Sequence, residues 1–512
     1  MSSPKSGEMI CRPPKAHMAF DSPLFLFGFL PVVLLVVLAL QYMGKLRLVV
    51  PVLIVASLVF YGWWRPVFLV VLLGSALFNY LCGLGLIRWR RPALLAFAIT
   101  GNVLLLGYFK YLGFFAETLR SLGVGQIPAI SIMLPLGISF FTFTQIAYLV
   151  DTYRGITRER NLLNYLLFVT FFPNLLAGPI AHHAEILPQF RQAPGVISRN
   201  VAVGLTVLII GLCKKVLLAD TVGAYANLVF NAAAAGTSPG LADAWMGVIA
   251  YSFQLYFDFS GYSDMAIGIA QMLGIRLPIN FNAPYRASSI REFWKRWHMT
   301  LSRFLMSYLY IPLGGSRSGP VRTLLNLFLT MLIGGLWHGA GWTFVLWGAW
   351  HGGLLVLHRV WLMVAEYPLL RVLAVPIRLF AVPLTFFLVT VGWVFFRATD
   401  FAAALTLLQS MAGLHGVAFP TGMSLLGSAF AWKRCLELLA ALAVIVWFAP
   451  PTQSFVKEIL PADTPEEQPD PFTLRLRWKP TAFFALCSTV MAVIAVTTLF
   501  LAQEHVFIYF QF

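Results

Sequence analysis

The residues of this chain best suited to chemistry are two histidines set in frames of aromatic and small residues. His298 lies in Phe293-Trp294-Lys295-Arg296-Trp297-His298-Met299-Thr300-Leu301-Ser302. His338 lies in Gly334-Gly335-Leu336-Trp337-His338-Gly339-Ala340-Gly341-Trp342, a frame that runs on through Trp347-Gly348-Ala349-Trp350-His351-Gly352. A neutral imidazole can take up a proton at physiological pH, because an unperturbed pKa of about 6.5 leaves it mostly uncharged. Ionisable groups at membrane depth are costly to bury and therefore mark functional candidates. For most of the nine histidines an ordinary packing role is the better reading. The company of His298 and His338 sets those two apart.

Such frames need a rigid apolar body around them, and the composition supplies one. The 512 residues are 59% hydrophobic and 11% charged, with a mean hydropathy of +0.80. A soluble protein carries roughly 25% charged residues, so most of this surface must face something other than water. Apolar runs recur from Leu24–Leu40 to Phe483–Leu501, many long enough to cross a hydrocarbon core of roughly 30 Å as helices. The chain is expected to be polytopic. Its net charge of +16 is read as basic clusters at span ends, namely Arg88, Arg90 and Arg91, then Lys214 and Lys215, then Arg291, Lys295 and Arg296. The positive-inside rule places such loops in the cytoplasm. No basic and aromatic pattern of a nucleic-acid interface is present. The five cysteines are scattered without a Cys-x-x-Cys pair, and adjacent His182 and His183 are poorly spaced for one metal ion, so neither disulfides nor metal is expected.

Around the first histidine, apolar residues at 290, 293, 294, 297, 301 and 304 share one helical face. They predict an interfacial helix with His298 turned towards the protein body. Gly334, Gly335, Gly339 and Gly341 allow close helix approach or leave room for a channel, Trp337, Trp342, Trp347 and Trp350 read as wall residues, and His351 lies over three helical turns from His338. The intramembrane carboxylates Asp258 and Asp264 need partners. An Arg pairing or a helix cap after Ser260-Gly261 is favoured for them over catalysis. Asn174 to Pro179 reads as a re-entrant element. Residues 1–17 read as a disordered extension that is not a cleaved signal peptide, 18–512 as one transmembrane domain, and 450–479 as an exposed loop.

Further segments resemble one family. They are Leu134-Pro135-Leu136-Gly137-Ile138-Ser139-Phe140-Phe141, Tyr148-Leu149-Val150-Asp151-Thr152-Tyr153-Arg154-Gly155, Phe171-Phe172-Pro173-Asn174-Leu175-Leu176-Ala177-Gly178-Pro179-Ile180 and Gln254-Leu255-Tyr256-Phe257-Asp258-Phe259-Ser260-Gly261-Tyr262-Ser263-Asp264-Met265-Ala266. Three more follow: Tyr310-Ile311-Pro312-Leu313-Gly314-Gly315, Trp393-Val394-Phe395-Phe396-Arg397 and Phe507-Ile508-Tyr509-Phe510-Gln511-Phe512. With the two histidine frames, they resemble the membrane-bound O-acyltransferase (MBOAT) family in its bacterial branch of alginate O-acetyltransferases. The resemblance implies an all-α polytopic membrane fold, a helical bundle of about 11–13 spans with interfacial and re-entrant helices. It assigns catalysis to the His of the Trp-His-Gly-Ala frame, here His338. His298 matches the family's other recurrent polar position. That residue could orient an acyl group, stabilise charge, or simply bind a backbone carbonyl.

Acyl transfer from a thioester to a hydroxyl needs a base, donors for the oxyanion and a route for both substrates. The resemblance implies an acetyltransferase of the bacterial inner membrane. It would move acetyl from a cytoplasmic donor, acetyl-CoA, across the bilayer for O-acetylation of an exopolysaccharide, alginate first. No permanently bound cofactor is expected. The expected partners are the acyl donor, the lipid bilayer and periplasmic acetyltransferase proteins; nucleic acid is not among them. No serine nucleophile elbow is present, so a nucleophilic serine, if one is needed, belongs to a partner. Transfer of D-alanyl groups to teichoic acid, or acetylation of peptidoglycan or cellulose, are alternatives within the superfamily. A transporter without chemistry is the alternative from another class, and the His338 frame separates the two, since a conduit needs no base.

Overall fold

The computed structural model describes residues 18–192, 194–364, 379–417, 425–426, 429–460, 474 and 476–501. Among these residues every regular element is a helix. In chain order they are α1 (Leu24–Tyr42), α2 (Val49–Gly62), α3 (Phe68–Trp89), α4 (Pro92–Ser121), α5 (Ile138–Arg154), α6 (Leu162–Thr170), α7 (His183–Arg191), α8 (Ser198–Ala234) and α9 (Leu241–Met272). The second half holds α10 (Ile290–Arg296), α11 (Met299–Leu305), α12 (Pro320–His338), α13 (Trp342–Val364), α14 (Ala381–Arg397), α15 (Phe401–Met411), α16 (Ala429–Phe448) and α17 (Ala482–Leu501). Helices α1, α3, α4, α8, α12 and α17 are long and apolar enough to cross a membrane. Other apolar stretches fold as shorter helices, such as Ala381–Arg397. The fold is therefore an all-α, multi-pass membrane bundle.

The bundle is centred on α8 and α9, which touch backbone to backbone. A Cβ at Gly211 would lie 2.6 Å from the Gly261 carbonyl oxygen, and one at Gly204 would lie 2.4 Å from that of Gly268. Small residues at such crossings replace the hydrophobic drive that lipid cannot supply. Lys214 and Lys215 were expected at a span end. Instead they sit inside the continuous run of α8, in a π-helical stretch over Lys214–Ala219. Lys215 is 2% exposed and pairs with Asp220 at 2.7 Å and Asp258 at 2.8 Å. Lys214 pairs with Asp264 at 2.6 Å and bonds Thr452 Oγ1 at 2.8 Å. Asp258 and Asp264 thus have the charged partners they need, but these are lysines where an Arg was expected, and α9 runs through Ser260-Gly261 without a break. Burial among opposite charges outweighs the preference of lysine for the interface, because an unpaired charge at that depth is far costlier.

Two other regions set up the site. After Phe171 the chain makes a single turn, Phe172–Leu175, and then runs as buried irregular backbone to His182. Its amides find side-chain acceptors: Phe172 N–H donates to Ser57 Oγ, and Ile180 N–H to Thr300 Oγ1. This is the irregular segment expected around Asn174 to Pro179, tolerated because protein surrounds it. Helices α12 and α13 form a hairpin crossing at glycine, where a Cβ on Gly335 would lie 2.9 Å from the Gly348 Cα. Residues 450–460 do not form an open loop, since Thr452, Val456 and Ile459 are buried. The N-terminal extension, 461–473 and the final Phe507–Phe512 motif lie outside the described residues.

Candidate active site

His298 is held by the break between two short helices. Ser289 caps α10 by accepting the Glu292 amide at 3.2 Å, and Glu292 reaches back to the Ser288 amide at 2.8 Å. Burial alone would raise the Glu292 carboxyl, but the Ser288 and Arg296 contacts prevail and hold it below its ordinary range. The helix stops at Trp297, and His298 takes a left-handed conformation with φ of 43°. One continuous amphipathic helix was expected here. The irregular segment 280–282 interrupts it, because Asn282 N–H donates to Arg296 O and Met299 N–H to Asn280 O, each at 2.9 Å. Backbone strain of this kind persists only where surroundings over-determine it, and it gathers at functional sites.

The break turns the imidazole inward, to full burial. Its Nδ1 lies 3.0 Å from Asn280 Oδ1, which also accepts the Thr300 amide at 3.3 Å and the Thr300 hydroxyl at 2.9 Å. Asn280 Nδ2 donates to Ser263 Oγ at 3.2 Å. An amide N–H can only donate, so the oxygen assignment is fixed and His298 Nδ1 must carry the hydrogen. Nε2 then presents a lone pair and has no hydrogen-bond partner among the described residues.

His338 is the last residue of α12 and is 6% exposed. Its ring centre lies 6.4 Å from that of His298 and 5.0 Å from both Trp337 and Trp347. Phe396, 5.3 Å away, closes another side. The two histidines expected from the sequence are therefore brought together in one aromatic chamber. His351 is there too, fully buried and 4.9 Å from Trp347. Counting helical turns missed this, because the chain reverses between α12 and α13. Asn280 and Thr300 were also missed; the only sequence signal for them is a polar residue within an otherwise apolar frame.

A cavity of about 2060 Å³ opens beside the chamber. Trp294, Met299 and Thr300 form part of its wall next to His298, and Thr323, Leu327, Thr330 and Met331 line it along successive turns of α12 towards His338. Arg199, Arg276, Arg291, Lys295, Arg303 and Arg359 make it strongly cationic. Arg90 donates to Tyr153 O, and Arg154 reaches Ser307 O. Elsewhere, His182 Nδ1 is 3.1 Å from Tyr308 Oη, which donates to Asp151 at 2.5 Å. Among the described residues no cluster of His, Cys, Asp and Glu is arranged to hold a metal ion.

The membrane-bound O-acyltransferase family model matches residues 138–396, which include both histidine frames. The chain is 44% identical over 432 residues to a peptidoglycan O-acetyltransferase of Helicobacter pylori, covering 78% of this chain and 81% of that protein. It is 45% identical over 404 residues to a probable alginate O-acetylase of Pseudomonas aeruginosa, covering 77% and 75%. A teichoic acid D-alanyltransferase of Streptococcus thermophilus is 28% identical over 241 residues, covering 44% of this chain and 57% of that protein. With its all-α membrane bundle and paired histidines, the chain belongs to the membrane-bound O-acyltransferase family and is an O-acyltransferase.

Proposed function

We propose that the chain takes acetyl from acetyl-CoA at the cytoplasmic face of the bacterial inner membrane and delivers it for O-acetylation of a polysaccharide outside. The observation that carries this reading is the placement of His338 and His298 in one aromatic chamber beside a cationic cavity. Such a cavity suits a donor bearing phosphates, and Trp294 and Met331 suit a thioester arm. His338 is the base: it takes the acceptor hydroxyl proton as the C–O bond forms, and the proton passes to the thiolate released when the C–S bond breaks. His298, whose Nε2 accepts in its neutral form, orients the hydroxyl or His338 by receiving a hydrogen bond.

Alginate is the acceptor of first choice, received through periplasmic acetyltransferase partners that finish the transfer. Peptidoglycan is the second reading, favoured by the similarity to the Helicobacter pylori enzyme. Both are carbohydrate hydroxyls and make the same demand on the base. Ester-bound acetyl measured separately in the exopolysaccharide and peptidoglycan of a deletion strain separates them: alginate loses acetyl on the first reading and peptidoglycan on the second. Unchanged acetyl in both would refute the proposal. Labelled acetyl-CoA supplied to inside-out vesicles tests the donor, and no transfer of label would remove acetyl-CoA from the reading.

A further inference from the structure

Helix α12 ends at His338, and the last carbonyls of any helix lack partners within it. Here they are claimed by two consecutive residues of another span. Lys110 Nζ donates to Trp337 O at 2.6 Å, to His338 O at 3.0 Å and to Ser139 Oγ at 3.3 Å. Tyr111 Oη donates to Leu336 O at 2.8 Å. Three successive carbonyls, 336 to 338, are thus clipped by one Lys-Tyr pair, and each ammonium hydrogen has an acceptor. The ammonium also lies 6.0 Å from the centre of the Trp337 ring.

The local fold is shaped for this. Residues Gly107–Tyr111 of α4 form a π-helical turn, the kind of bulge that often accompanies functional sites because it re-aims side chains. It lets neighbouring residues 110 and 111 address the same helix end. Helix α4 is itself pinned by a buried amide cluster, with Asn79 and Asn102 side chains exchanging bonds at 2.6 and 3.1 Å, and Asn79 also bonding Gln145 of α5. A lysine at the negative end of a helix is electrostatically favourable, and none of this is needed for α12 merely to span the membrane.

We infer that Lys110 and Tyr111 are positioning residues for the acyl-transfer site: they fix the backbone at Trp337 and His338, and so the direction of the His338 imidazole in the chamber. The inference rests on His338 being the base.

The test uses the full chain in cells lacking the native copy, with polymer acetylation scored per folded molecule in detergent extracts. Lys110→Met keeps the aliphatic stem and removes all three donors; it should lower acetylation about 10- to 100-fold, the scale of a misplaced catalytic group. Lys110→Arg should restore most of that loss, and Tyr111→Phe should give a smaller one. A purely structural role would instead lower the amount of folded protein and leave acetylation per folded molecule unchanged in Lys110→Met, with nothing for Lys110→Arg to restore. Wild-type acetylation in Lys110→Met beside an inactive His338→Ala would overturn the positioning role alone. Retained acetylation in both would overturn the assignment of His338, and this inference with it.

Discussion

Asn280 Oδ1 receives both the Nδ1 hydrogen of His298, at 3.0 Å, and the backbone amide of Thr300, at 3.3 Å. Because the second donor leaves no choice of amide orientation, the first fixes the tautomer and leaves the lone pair of His298 on Nε2, in a ring whose centre lies 6.4 Å from that of His338. Asn280→Ala frees the ring to rotate and to exchange tautomers. It should lower acetylation up to about 100-fold while leaving the chain in the membrane, as measured by polymer acetyl content at matched abundance. Asn280→Ala with full activity would show that the tautomer does not matter.

His351 shares Trp347 with His338 but faces a different set of rings, Phe293, Trp294 and Trp393. It reads as a packing residue. His351→Ala should leave activity per folded molecule near wild type and cost about 2 kcal/mol or more of stability through the cavity it opens. Thermal unfolding in detergent, run beside the acetylation assay, separates the two effects. His358, half-buried on the cavity wall, should tolerate Ala with little change in either.

The lysine pair of α8 gives a prediction about both depth and stability. Cysteines introduced at Arg90 and Lys295 should react with an impermeant thiol reagent from the same side of the membrane, the cytoplasmic one by the positive-inside rule. A cysteine at Lys215 should react from neither side. Lys215→Met leaves Asp258 and Asp220 facing each other and should cost about 3–5 kcal/mol. Adding Asp258→Leu and Asp220→Asn should recover most of it. Labelling of Lys215→Cys in the intact protein would contradict the buried placement.

At the α12–α13 crossing, a Cβ on Gly335 would lie 2.3 Å from the Phe344 carbonyl oxygen, whereas one on Gly353 would meet nothing within 4 Å. Gly335→Ala should therefore destabilise by about 1–3 kcal/mol and disturb His338 one turn away. Gly353→Ala should be neutral or gain up to about 1 kcal/mol from helix propensity. Equal melting temperatures for the two variants would refute the backbone contact.

The all-α membrane character and the His298–His338 pair were legible in the sequence, the first from sustained apolar runs, the second from two aromatic frames that matched a family. What was not legible came from tertiary partners. Hydropathy put Lys214 and Lys215 at a span end because it cannot see Asp258 and Asp264 on a neighbouring helix. Periodicity merged α10 and α11 because the same apolar face continues across the kink; the backbone bonds from 280–282 that break it come from outside the window. Helical counting set His351 apart from His338 because the reversal at Gly339–Gly341 occupies only three residues. Lys110 carried no local signal at all: a lone lysine in Tyr-Phe-Lys-Tyr resembles a snorkelling side chain until the end of α12 is placed above it.

The claim on which the rest depends is that His338 supplies the base. Its most direct measurement is ester-bound acetyl in the polymer of cells expressing His338→Ala or His338→Gln, at abundance and folded content matched to wild type. The account predicts a loss of about 10²- to 10⁴-fold in both, a comparable or smaller loss for His298→Ala, and little change for His358→Ala. Near-normal acetyl content in both His338 variants would contradict it and return the chain to the reading of a conduit without chemistry.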